Sequence, residues 1–127
     1  QGVADFVVRS DIDQLNTFSS DGLSFDDKAS LFIDYIVSQE DGYMSQYYIL
    51  MDYTRLHPES GDFLKMNHAS QQYANAIAHF LGITYDEAMT IYLLLAGVML
   101  QRMLDGKQTD LKKQMNWLFD ILRQKYS

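Results

Sequence analysis

The chain has 127 residues, 47% of them hydrophobic and 13% aromatic, which excludes intrinsic disorder and lets one domain bury roughly two-thirds of its unfolded surface. Seventeen acidic against ten basic residues give a formal charge of −7, and no basic cluster exceeds Lys112-Lys113. That argues against duplex binding by this chain, because displacing counterions from phosphates takes clustered Lys and Arg. The absence of cysteine excludes disulfides, thiolate metal ligands and thiol nucleophiles, and suits a reducing cytoplasm.

One proline and seven glycines favour long helices over a turn-rich β fold. Taken in order, the pattern predicts about six helices in a single all-α domain spanning residues 1–127. A first helix over 3–18 carries Val3, Phe6, Val7, Ile12, Leu15 and Phe18, and Ser19-Ser20-Asp21-Gly22 is a turn by composition. Ser24 caps a second helix, with Asp26 and Asp27 at the positive end of its dipole and Leu31, Phe32, Tyr35 and Ile36 along its apolar stripe. Glu40-Asp41-Gly42 is expected to break it. A third helix over 43–57 ends at His57-Pro58, since the residue before proline avoids the α region. The fourth runs from about 59 or 60 to Leu81, stopped by Gly82. Its inward stripe is Phe63, Met66, Ser70, Tyr73, Ala74, Ile77, Phe80 and Leu81; Lys65, His68, Gln72, Asn75 and His79 make its polar face.

The stretch from Ile83 to Gly106 organises the rest. Thr84 and Glu87 form a capping box, Ile83 and Ala88 a hydrophobic staple, and Asp105-Gly106 a stop. Between them Ile91 to Leu100 is apolar on every side except for one tyrosine hydroxyl, so this helix has to be covered all round. Ten apolar residues are too few to span a bilayer, and no signal peptide pattern precedes them. Thr109 caps the last helix, where Leu111, Met115, Leu118 and Leu122 make an a/d seam with Trp117 and Ile121 beside it.

Catalytic and metal chemistry find little support. His68 and His79 sit about three turns apart, His57 lies across a proline break, and no pair has the spacing of metal ligands on adjacent turns. Neither a Gly-x-Ser-x-Gly elbow nor a glycine-rich phosphate loop occurs, and the carboxylates gather at helix starts, where capping accounts for them. We expect no enzyme, no metal and no cofactor. The tyrosines and methionines are more telling. Tyr47, Met51, Met66, Ser70, Tyr73, Tyr92 and Met99 suit a pocket for a small, mostly apolar ligand, since tyrosine adds a hydroxyl to an apolar wall and methionine adapts to its guest. The same residues also serve as ordinary core filling. Leu93, Gly97, Leu100 and Leu104, with the seam Leu111, Met115, Leu118 and Leu122, fit an isologous four-helix bundle between two copies.

The run Tyr48-Ile49-Leu50-Met51-Asp52-Tyr53-Thr54-Arg55-Leu56-His57-Pro58-Glu59 resembles the sixth helix of TetR-family transcriptional regulators. Residues 60–81 then look like that family's seventh helix, 88–106, with Ala96-Gly97-Val98-Met99-Leu100 at its middle, like the eighth, and 109–126 like the ninth. The resemblance implies an effector-binding domain that homodimerises through its last two helices. A small molecule among the preceding helices would control DNA binding by an N-terminal head. The family's basic helix-turn-helix is not in this sequence and the chain begins with Gln1, so we expect the C-terminal, cytoplasmic domain of a longer repressor. The alternative is a ligand-free helical module that binds a different protein.

Overall fold

The structure, a computed structural model, describes residues 22–56 and 62–126. They form five helices: α1 (Phe25–Ser38), α2 (Glu40–Leu56), α3 (Asp62–Leu81), α4 (Tyr85–Asp105) and α5 (Leu111–Tyr126), with no strand among the described residues. The all-α expectation holds among the described residues, which carry these five helices. The helix expected over 3–18 lies outside the described residues, as do His57 and Pro58.

Local chemistry sets most of the boundaries. Ser24 caps α1 by accepting from the Asp27 amide at 3.1 Å. Thr84 and Glu87 close the capping box of α4: the Thr84 hydroxyl accepts from the Glu87 amide at 3.2 Å, and Glu87 accepts from the Thr84 amide at 3.0 Å. Gly106 ends α4 in the left-handed conformation, φ 69°. Two expected boundaries shift. The α1–α2 break falls on Gln39 rather than on Glu40-Asp41-Gly42, so that Glu40 and Asp41 lie in the first turn of α2, where their charge favours the helix. Asp110, not Thr109, takes the cap of α5 by accepting from the Lys113 amide at 3.2 Å; Thr109 instead donates to the Asp105 carboxylate.

The core is one cluster. Ala29, Phe32, Ile33 and Ile36 of α1, Ala74, Ile77, Phe80 and Leu81 of α3, Ile91, Leu95 and Met99 of α4, and Met115 and Phe119 of α5 are buried together. Phe119 holds α5 on α1, its ring centroid 6.1 Å from Phe25 and 6.0 Å from Phe32. Helix α4 is the shared support, packing on α3, α5 and α2. It has 21 residues and a mean hydropathy of 1.3 over its most apolar 18-residue window, a length and apolarity that a membrane-crossing helix shares with the central helix of a bundle. Its inner face, however, is built into the bundle core, and only 33% of that window is buried. Its outer face, carrying Leu93, Leu100 and Leu104, is exposed.

Candidate functional site

Two features stand out on α4, one on each side. The first lies where α2, α3 and α4 meet. Tyr43 and Tyr73, both buried, share a hydrogen bond between their hydroxyls at 3.0 Å. Tyr73 lies tilted on Tyr92, ring centroids 5.6 Å apart, and the Tyr92 hydroxyl is 3.1 Å from the Ser70 hydroxyl in a partly buried pair. Four hydroxyls from three helices thus gather at one junction, and each partner accounts for the cost of taking a hydroxyl out of water. Of the seven residues expected to line a pocket, Ser70, Tyr73 and Tyr92 come together here. Met99 is fully buried in the core, and the side chains of Tyr47, Met51 and Met66 lie outside the described set. Tyr43 was not among the expected pocket residues, because the apolar residues of its helix are spread almost all round and the spacing singles out no inward face.

The second feature is the outer face of α4. Leu93, Leu100 and Leu104 stand 61%, 46% and 74% exposed in one stripe, with Gly97 between them and nothing within 4 Å of the place a Cβ would occupy. This is the face expected to meet a second copy. The seam on α5 is a different matter. Leu111, Met115 and Leu122 are buried in the protomer's own core and Leu118 is half-buried, so this line cannot also be an exposed interface. Periodicity identified which residues share a face but not what covers it. The large apolar residues that α5 leaves outside are Trp117 and Ile121, 64% and 46% exposed. Helical rotation puts them on the side of α5 away from Phe119, Arg123 and Tyr126, which contact α1. Beside Trp117 lies an open depression of about 500 Å³, lined also by Asp110, Lys112, Lys113, Asn116 and Asp120. It shares no residue with the expected pocket.

Charged groups do structural work around these features. Glu87 closes the capping box and also binds the end of α5, accepting from the Tyr126 hydroxyl and, at 3.1 Å, from Lys125. The Tyr126 hydrogen bond is the largest of the causes that hold its carboxyl at about pKa 2, against the cost of desolvation and helped by Thr84 and Lys125. Asp105 is likewise held low, first by the Thr109 hydroxyl. Arg102 is the buried charged residue of the described core. No group of three or more His, Asp or Glu residues among those described could hold a metal ion. His68 is exposed and 3.1 Å from the Gln72 side chain.

No family model matches this chain, and neither a curated protein nor a solved structure does.

Proposed function

We propose that this chain is the effector-binding and dimerisation domain of a TetR-like transcriptional repressor, acting as a cytoplasmic homodimer. One observation carries the reading: Leu93, Leu100 and Leu104 stand in a single exposed stripe on the helix that also supports the core. Three leucines at helical spacing around a glycine are costly to leave in water, and a symmetry mate can cover them with the same face. On this reading Leu93, Gly97, Leu100 and Leu104 make the α4 half of the interface, and Trp117 and Ile121, in place of the buried Leu111, Met115 and Leu122, make its α5 half, with Leu118 at the edge.

The ligand side rests on the hydroxyl junction of Tyr43, Ser70, Tyr73 and Tyr92, next to α4's inner face. A small, mostly apolar molecule bound there would stabilise one arrangement of α2, α3 and α4 over another. Its differential affinity for the two arrangements sets how far the equilibrium shifts. DNA binding would belong to an N-terminal head outside this sequence, in keeping with the charge of −7. The DNA upstream of the codon for Gln1 tests that output. An in-frame basic helix-turn-helix is the expected result, and an open reading frame that supplies none overturns the regulator reading.

The second reading is a ligand-free helical module for a different protein partner. What favours it is the hydroxyl junction itself, where Tyr43 is paired with Tyr73 and Ser70 with Tyr92 without a guest. On that reading the pure protein is monomeric or aggregates through the α4 stripe.

A further inference from the structure

Helices α1 and α2 are separated by one residue. Gln39 has φ −103° and ψ 5°, its amide donates to the Tyr35 and Ile36 carbonyls at 3.2 Å each, and its carbonyl accepts from the Tyr43 amide at 3.0 Å. Neither glycine nor proline stands at that break, and the Ser38 hydroxyl, donating to the Tyr35 carbonyl at 2.6 Å, favours a bend there without fixing its angle. Something else has to hold it.

The turn between α4 and α5 is placed to do so. The Arg102 guanidinium, its side chain only 10% exposed, donates to the Thr109 carbonyl at 2.5 Å and to the Lys107 carbonyl at 3.4 Å. Its other terminal nitrogen is 3.6 Å from Glu40, and its Nε is buried without a hydrogen-bond partner. Lys107, held at φ 70° with its amide on the Arg102 carbonyl at 2.8 Å, reaches Asp41 at 3.5 Å. Both acids of α2's first turn therefore face a base, Arg102 from the last turn of α4 and Lys107 from the turn that follows it. The Lys107–Asp41 pair is exposed and weak by itself; Arg102 is buried, and a buried charge holds its partners far more firmly.

We infer that Arg102 and Lys107 form a clasp through which the α4–α5 turn sets the angle between α1 and α2. A shift at the end of α4, where Leu100 and Leu104 are exposed, would then be felt at Gln39 with no ligand in between. The clasp goes beyond the regulator reading and does not depend on it.

The absence of cysteine makes a distance measurement direct. Ser30 on α1 and Asp52 on α2 are both exposed, and Ser30→Cys with Asp52→Cys accepts a pair of spin labels. Their backbones would stand about 33 Å apart if α1 and α2 ran on as one straight helix at ~1.5 Å per residue. Pulsed electron resonance on the labelled parent is expected to give one narrow distribution below that limit. Adding Glu40→Gln with Asp41→Asn should broaden it and move its mean toward the straight-helix value. Arg102→Met should have the same effect, and combining it with the acid pair should add nothing further. If Arg102→Met does not fold, the acid-pair variant decides alone, since both its sites lie on the helix surface or near it. A folded acid-pair variant whose distribution superimposes on the parent's overturns the clasp.

Discussion

Replacing Tyr126 with phenylalanine removes one oxygen and leaves most of its packing in place. The ring is stacked on Phe25 with centroids 5.3 Å apart and an interplanar angle of 21°, and phenylalanine can keep that stack. What disappears is the hydrogen bond to Glu87, the largest cause of that carboxyl's descent from 4.5 to about 2. A shift of that size would be worth several kcal/mol for a fully enclosed group. The Glu87 side chain is 21% exposed, so solvent screening brings the expected loss in Tyr126→Phe to about 1 kcal/mol at neutral pH. For a domain of this size that lowers Tm by about 3–5 °C. The sign with pH follows from the direction of the shift. The folded carboxyl is more acidic than the unfolded one, so its contribution is complete above about pH 4.5 and fades as pH falls toward about 2. Urea unfolding of both proteins at one fixed protomer concentration, at pH 7 and again near pH 2.5, measures it. The gap between them should narrow at the lower pH. An equal gap at both values, or none at pH 7, refutes the assignment of the acid shift to Tyr126.

Two further substitutions probe the fold. Phe119→Ala empties a fully buried site between Phe25 and Phe32 and should cost about 3–5 kcal/mol in denaturant unfolding, enough to detach α5. Gly106→Ala meets no atom within 4 Å, so its cost is the left-handed backbone alone, about 1 kcal/mol by the same measurement.

Helix ends were the most legible part of the sequence, because capping is local chemistry. The Thr84–Glu87 box, the Ser24 cap and the glycines at 82 and 106 all act within four residues of their targets, and each is where the pattern put it. The α3 stripe from Tyr73 to Leu81 was legible for a related reason: one polar face and one apolar face leave a single way to bury it. The α5 seam was legible as a stripe and misassigned as an interface, since nothing in its spacing tells α1 and α4 apart from a second copy. Arg102 was not legible as a buried residue. An arginine near a helix end reads as a solvated charge, and its partners are the Thr109 carbonyl and Glu40, one beyond the helix and the other far away in sequence. The same limit applies to Glu87, read correctly as a cap, whose second role depends on a hydroxyl 39 residues on. Of the expected pocket, the spacing singled out Ser70, Tyr73 and Tyr92, which do meet. It gave Met99 to the pocket, although the core takes its side chain entirely.

The exposed face of α4 is the centre of the account, and its occupant can be weighed. Sedimentation equilibrium at micromolar concentration should find a dimer for the unmodified chain. Leu100→Asp combined with Leu104→Asp should give a monomer with an unchanged helical circular dichroism spectrum, since neither side chain supports the protomer's core. A monomeric parent, or a double variant that stays dimeric, would contradict dimerisation through α4.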